Sequence, residues 1–138
     1  MRVSPNGERV RVLVVDDNAG CRDALAAVVS AAEGFDLVGT ADSGEHALEL
    51  LPQLEPHLVV MDLRMPGLDG IETARRMEIA RPDVAVVVVS AQEGQIVEGV
   101  AGVRRVLPKR DVTVRGLAEI WQVVRDGREQ DLLPAVAS

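Results

Sequence analysis

The stretch VVMDLRMPGLDG, from Val59 to Gly70, joins an apolar run to an acid and a turn. The run ends in Asp62, and Pro66 and Gly67 mark a turn shortly afterwards. An isolated carboxylate inside a dry strand is costly, so an acid of this kind is expected at a strand tip, where it is paired, metal-bound or protonated. The stretch therefore predicts a buried strand that delivers Asp62 to its own end.

Length, composition and charge exclude several classes of protein. The chain has 138 residues, of which 47% are hydrophobic, and a net charge of −7. One domain with an aliphatic core is expected, and the acidic balance disfavours direct binding to nucleic acid. The single cysteine, Cys21, forms no internal disulfide, which suits a reducing compartment. Without a bilayer-length apolar run or a signal-peptide pattern, we expect a cytoplasmic domain with no membrane partner.

Short apolar runs alternate with helical patterns along the chain. Five runs are predicted to be strands: VRVLVV, FDLVGT, HLVVM, VAVVVVS and VRRVL. Their nearly continuous apolar character predicts a parallel sheet covered on both faces. Strict alternation predicts an α/β fold, a doubly wound sheet of five strands flanked by five helices, as in flavodoxin-like proteins.

The boundaries of the domain and one helix are less sharply defined by the sequence. The fourth helix is expected within residues 92–102, where glycines disfavour it by roughly 1 kcal/mol each relative to alanine. The ordered domain is expected to span residues 10–127. Residues 1–9 are expected to form a flexible segment, and residues 128–138 a tail or the start of a linker.

Polar side chains follow four of the five predicted strands. They are Asp16 and Asp17 after the first, Asp62 after the third, Ser90 at the end of the fourth and Lys109 after the fifth. Ligands of doubly wound sheets bind beyond the carboxyl ends of the strands, so these groups are expected to share one edge. Such oxygen ligands suit Mg²⁺, and the lysine would neutralise part of the acidic charge.

Each of these residues alone has an ordinary explanation. Adjacent acids after a strand often cap a helix, a serine that closes a strand is usually a turn residue, and a loop lysine is normally solvated. Asp62 alone could be either structural or functional. Their joint placement at successive strand ends is what favours a functional site.

The ordered motifs VVDDNAG, VVMDLRMPGLDG, VVVVSAQ and VLPKRD resemble the receiver domain of two-component response regulators. The resemblance implies that Asp62 accepts a phosphoryl group from a sensor histidine kinase. It implies Mg²⁺ bound by Asp17 directly, by Asp16 mostly through water, by Asp62, and by the main-chain oxygen of Arg64. Lys109 would contact the phosphoryl oxygens and Ser90 would move towards them. Such a domain promotes its own phosphorylation and dephosphorylation and turns over no external substrate.

Two features refine the resemblance. Receivers usually carry Tyr or Phe three residues before the lysine, where this chain has Val106, so any switch is expected to work through Ser90 and the glycine-rich fourth helix instead. The C-terminal stretch EIWQVVRDGREQDLLPAVAS resembles the last receiver helix and linker of NarL/FixJ-type regulators. That resemblance implies a transcription regulator with a DNA-binding domain beyond this chain and dimerisation on phosphorylation. We expect the chain to be part of such a regulator; a stand-alone receiver is the alternative.

Other functions stay open or are disfavoured. A haloacid dehalogenase-type phosphatase wants a second acid two residues after its nucleophile, where Arg64 stands here. A flavodoxin-like cofactor binder needs a Ser/Thr/Gly-rich phosphate loop in place of DDNAG. A degenerate receiver that acts only as a phosphorylation-independent interaction module remains an alternative. His46 and His57 lack metal-ligand spacing and are predicted to be structural or solvated.

Overall fold

A computed structural model describes residues 9–90, 103 and 105–130 of the chain. Five parallel strands form one sheet in the order β2-β1-β3-β4-β5. The strands are β1 (Val10–Val15), β2 (Phe35–Ala41), β3 (Leu58–Asp62), β4 (Ala85–Ser90) and β5 (Arg105–Pro108). The helices are α1 (Ala19–Ala31), α2 (Gly44–Leu54), α3 (Gly70–Ala80) and α4 (Val114–Gln130), and a 3₁₀ turn covers Lys109–Asp111.

Side-chain alternation along the strands divides the core into two layers. On one face, residues such as Val12, Val14 and Val87 pack with apolar residues of α1 and α4. On the other face, residues such as Leu13 and Met61 pack with apolar residues of α2 and α3. Because successive strand residues point to opposite faces, strands buried on both sides need the continuous apolar runs that the sequence shows.

Polar side chains fix the starts of the helices. The side chains of Asn18, Ser43 and Asp69 accept hydrogen bonds from backbone amides three residues further on, at the starts of α1, α2 and α3. Thr113 does the same for α4, accepting from Gly116 N at 2.9 Å. These caps satisfy amides that the first turn of a helix leaves unpaired. They also set where each helix leaves the sheet edge.

The predicted fold is confirmed: the sheet has five parallel strands with helices on both faces. Four α-helices lie within the described residues, while the predicted helix in residues 92–102 falls outside them. The predicted flexible segment, apart from Arg9, and residues 131–138 also fall outside. Among the helices described, none is long and apolar enough to cross a membrane.

The register of the sheet determines which residues meet at its carboxyl edge. Asp62 is the last residue of β3 and lies opposite Val89 of β4. Ser90, the last residue of β4, lies opposite Pro108 of β5, so Lys109 follows directly beyond it. Asp16 and Asp17 leave the end of β1, which is the other neighbour of β3. The edge therefore collects the predicted polar residues around the central strand β3.

Candidate functional site

Three carboxylates meet at the carboxyl edge of the sheet. One carboxylate oxygen from each of Asp16, Asp17 and Asp62 lies within 4.8 Å of the other two. Asp16 is fully buried and Asp62 nearly so, whereas Asp17 is exposed. Clustered carboxylates repel one another, so an arrangement of this kind needs a cation or a proton to be stable.

Three of the polar groups of Asp16 are held by hydrogen bonds. Its main-chain N–H donates to Ala41 O at 3.1 Å, and its main-chain oxygen accepts from Arg22 at 2.9 Å. Its Oδ1 accepts from Asn18 N at 2.9 Å. Its Oδ2 has Lys109 Nζ at 3.2 Å but receives no hydrogen bond of good geometry from the described residues. A buried carboxylate oxygen in that position is suited to a cation.

Lys109 supplies a positive charge between two of the acids. Its Nζ lies 3.2 Å from Asp16 Oδ2 and 3.4 Å from Asp62 Oδ1. Burial by itself lowers the pKa of Lys109, but the contacts with Asp16 and Asp62 outweigh it and hold the pKa above its ordinary value. The side chain therefore stays an ammonium ion, a compact charge with three donors.

Asp62 is in an environment that opposes its negative charge. Burial raises the pKa of its carboxyl group, the neighbouring Asp16 charge raises it further, and Lys109 only partly offsets both, so the pKa stays above its ordinary value. Its anion is poorly solvated and faces further negative charge. A nearby cation, a proton or a bond to an electrophile would relieve that charge.

Three further residues were singled out in the sequence, and the structure gives the position of each: Ser90, Arg64 and Val106. Ser90 is buried at the end of β4, one strand away from Asp62. Arg64 is exposed two residues beyond Asp62. Val106 lies opposite Val88 and is half-buried against the α2–α3 layer. The edge position of Ser90 follows from the sheet register; the metal contact predicted for the Arg64 main chain stays a prediction.

Sequence reasoning missed two residues that shape the site. Arg22, on α1, contacts the main-chain oxygen of Asp16. Gly70 begins α3 so close to the end of β3 that a Cβ there would lie 2.5 Å from the main-chain oxygen of Asp62. The sequence DGIE signals the start of a helix at Asp69, but the close approach of Gly70 to Asp62 depends on tertiary packing. The composition also singles out Lys109, which is the only lysine in a chain with fourteen arginines.

The two histidines take no part in the acidic cluster. His57 Nδ1 accepts a hydrogen bond from Arg11 N at 2.9 Å, at the opposite edge of the sheet. His46 is exposed on α2, with Nδ1 3.6 Å from Asp42. His57 is therefore structural and His46 is a surface residue, in agreement with the prediction that both are structural or solvated.

Comparison with known proteins agrees with the geometry. The response regulator receiver domain family matches residues 12–119, a range that includes all three clustered acids, Ser90 and Lys109. Response regulator GacA of Pseudomonas aeruginosa is 42% identical over 84 residues, which are 61% of this chain and 39% of that protein. A protein-glutamate methylesterase/protein-glutamine glutaminase of Myxococcus xanthus is 44% identical over 89 residues, 63% of this chain and 26% of that protein. The matched region thus spans well under half of each relative.

Solved structures show the same fold. The signal receiver domain of the response regulator NarL from Mycobacterium tuberculosis has a TM-score of 0.72 and 28% identity, covering 86% of this chain and 98% of that one. The response regulator domain of Thermotoga maritima CheB has a TM-score of 0.69 and 30% identity, covering 86% and 96%. Relatives thus include both proteins named as response regulators and proteins named as methylesterases. With a family match across the whole sheet and the acids at its carboxyl edge, the chain belongs to the response regulator receiver domain family.

Proposed function

We propose that this chain is a phosphoacceptor receiver and that Asp62 takes a phosphoryl group from the phosphohistidine of a sensor histidine kinase. The observation that carries the proposal is the position of Asp62, with carboxylate oxygens of Asp16 and Asp17 within 4.8 Å of one of its own and the Lys109 ammonium 3.4 Å from its Oδ1. Burial and the nearby acid raise the pKa of Asp62, so its anion gains from losing charge density to an electrophile. Membership of the receiver family supports the same role.

The transfer step needs positioning and positive charge more than covalent machinery. A carboxylate oxygen of Asp62 forms a bond to phosphorus as the P–N bond to the donor imidazole breaks. The imidazole nitrogen keeps the electron pair of that bond and takes up a proton from solvent, which leaves a neutral histidine. Lys109 would stabilise the negative charge on the transferring oxygens, because its ammonium already lies beside the attacking carboxylate.

The acidic cluster fits Mg²⁺. Its donors are all oxygen, and the buried Oδ2 of Asp16 receives no hydrogen bond from the described residues. Asp16, Asp17, Asp62 and the main-chain oxygen of Arg64 would hold the ion. When bound, it would offset the repulsion among the carboxylates and the incoming phosphoryl oxygens. Asp17, the exposed acid of the three, is the one open to solvent for direct ligation.

After transfer, Ser90 would contact the newly added phosphoryl group. Its hydroxyl stands at the end of β4, next to the strand that carries Asp62. A hydroxyl can donate to a phosphoryl oxygen, so Ser90 would move towards the acyl phosphate when it forms. With Val106 in the usual aromatic position, the response would not depend on a rotating ring.

The wider biological role follows from the family and the C-terminal sequence. We infer a cytoplasmic regulator of the NarL/FixJ type that controls transcription through a DNA-binding domain, with residues 10–127 as the receiver and 128–138 leading into a linker. The response regulators named GacA and NarL support a regulator of this type, whereas other relatives are named as methylesterases. Phosphorylation would favour a homodimer. The receiver itself would act on no external substrate.

Intact-mass spectrometry after incubation with acetyl phosphate and Mg²⁺ tests the proposal. We expect a mass increase of one phosphoryl group that disappears with EDTA and in Asp62→Asn. Asp69→Asn is the matched control, because Asp69 caps α3 outside the cluster and asparagine caps as well as aspartate. Absence of the adduct, with acetyl phosphate and with a phosphorylated kinase alike, would reject phosphotransfer and favour a phosphorylation-independent interaction module.

A further inference from the structure

Arg22 stands out because its position is unfavourable for the helix that carries it. It is the fourth residue of α1, whose N-cap is Asn18. The N-terminal end of a helix carries partial positive charge, so a cation there costs free energy unless something compensates. The first turn of α1 contains no acidic residue. A compensating interaction must therefore come from outside the helix.

That interaction is with the loop that bears the acids. The half-buried Arg22 donates from its terminal nitrogen to the main-chain oxygen of Asp16 at 2.9 Å, reaching back over the start of its own helix. This oxygen belongs to the peptide unit that joins Asp16 to Asp17. A charged donor on a carbonyl makes a stronger hydrogen bond than a neutral donor does. Arg22 thus fixes the peptide on which the directions of both acids depend.

Asp16 is otherwise held by three different parts of the fold. Ala41 of β2 accepts from its N–H, Asn18 donates to its Oδ1, and Lys109 lies beside its Oδ2. Without Arg22, the peptide between Asp16 and Asp17 would keep its contacts on the Asp16 side only. The exposed Asp17 would then lose the anchor nearest to its own backbone.

We propose that Arg22 is a positioning residue that orients the Asp16–Asp17 peptide and thereby sets the affinity of the acidic cluster for Mg²⁺. The inference rests on the proposed function, since it concerns the same site. Arg22 touches neither Asp62 nor Lys109 in any described contact, so it acts through the backbone of the acid pair. It also links that pair mechanically to α1.

The test measures Mg²⁺ binding to the unphosphorylated chain, by ¹⁵N NMR titration and by calorimetry. Arg22→Met keeps the aliphatic stem and removes the donor. We expect Mg²⁺ affinity to fall roughly tenfold, as outer-shell substitutions at metal sites do. Arg22→Lys keeps the positive charge and a donor on a flexible stem, and we expect its affinity to return to within about threefold of wild type. Hydrogen exchange of the amides of residues 16–18 should be faster in Arg22→Met.

Arg115→Met is the matched control for net charge. Its side chain is 89% exposed and pairs only with Glu119 among the residues described, at 3.3 Å. It removes the same charge, so its Mg²⁺ affinity should stay within about twofold of wild type. Urea unfolding in EDTA separates stability from binding, because a purely structural Arg22 would lower stability and leave the affinity of the folded protein unchanged.

The outcomes separate this inference from the proposed function. Three results would overturn the role of Arg22 alone. They are a wild-type Mg²⁺ affinity in Arg22→Met, a loss of Mg²⁺ affinity no larger than in Arg115→Met, and a loss of affinity that Arg22→Lys does not repair. A wild-type chain that takes neither Mg²⁺ nor a phosphoryl group would overturn the proposed function and this inference together. If Arg22→Met does not fold, Arg22→Gln, which is too short to keep the contact, is measured against the same criteria.

Discussion

Lys109 Nζ and Asp62 Oδ1 lie 3.4 Å apart, and the lysine belongs to the turn that follows β5 while the acid ends β3. The contact joins the end of β3 to the turn after β5, and β4 lies between these two strands in the sheet. Because no other lysine occurs in the chain, this contact can be addressed chemically as well as by substitution.

Amine acylation should report directly on Lys109. The raised pKa of Lys109 keeps the amine protonated, and only the neutral amine reacts, so acetylation should be slower than for a lysine in a short peptide. The only other primary amine is the chain's α-amino group, which serves as an internal reference. Peptide mass mapping over time gives both rates. Acetylation of Lys109 at the peptide rate would contradict the ion pairs.

Removing the charge of Lys109 should impair both chemistry and stability. Lys109→Met leaves the buried Asp16 carboxylate without its cation, which should cost about 2 to 4 kcal/mol of unfolding free energy in EDTA. Phosphorylation by acetyl phosphate should slow roughly a hundredfold, as expected for loss of one preorganised charge. Urea titration and intact-mass time courses measure the two effects. Mg²⁺ should restore part of the stability, and failure to do so would argue against a cation site.

Asp62→Asn should stabilise the fold at neutral pH. The pKa of Asp62 is raised in the folded state, so the folded protein holds the proton more tightly, and stability falls as pH rises through that pKa. At pH 7 the charged Asp62 is therefore unfavourable, and asparagine removes this cost. The gain over wild type should shrink as pH falls towards the ordinary value of 3.8. Urea midpoints in EDTA at several pH values give the difference; a less stable Asp62→Asn at pH 7 would contradict it.

The sheet could be predicted because each strand is visible in the sequence as a short run of neighbouring apolar residues. Runs such as Val10–Val15 are buried on both faces, and the observed strand has the predicted bounds. The polar residues at the strand ends were also visible, because parallel strands bring their carboxyl ends to one edge. Arg22 and Gly70 were not visible in this way. Their contacts with Asp16 and Asp62 depend on the angle at which a helix leaves the edge, which tertiary packing decides.

Gly70→Ala should disturb the site through packing alone. A Cβ at Gly70 would meet the main-chain oxygen of Asp62 at 2.5 Å and the backbone of Leu63 at 3.0 Å, neither of which can move cheaply. We expect a loss of about 1 to 3 kcal/mol and slower phosphorylation. Gly39→Ala is the control, because its Cβ meets only the end of the flexible Leu54 side chain at comparable range. Equal losses of stability and of phosphorylation rate in the two variants would show that the close approach of α3 to β3 does not matter to the site.

His57→Ala should separate stability from chemistry. The His57 ring accepts from Arg11 N, while its backbone N–H donates to Arg11 O at 2.8 Å, at the edge of the sheet away from the acids. Removing the ring leaves a partly buried N–H unpaired, at a cost of about 1 to 2 kcal/mol. Phosphorylation of the folded protein should be unchanged. His46→Ala, on the exposed face of α2, should cost less than about 0.5 kcal/mol.

Val106→Phe tests whether the missing aromatic ring matters to chemistry or to response. Val106 is half-buried against the α2–α3 layer, and β5 lies at the edge of the sheet, so a larger ring should be accommodated at a cost of about 1 kcal/mol or less. The phosphorylation rate should stay within about threefold of wild type, because the acids and Lys109 supply the chemistry. Hydrogen exchange across residues 103–112, with and without phosphorylation, measures the response. If Val106→Phe is phosphorylated at the wild-type rate but its hydrogen exchange responds differently to phosphorylation, the ring acts in signal output. A large change in the phosphorylation rate would contradict the separation of the two roles.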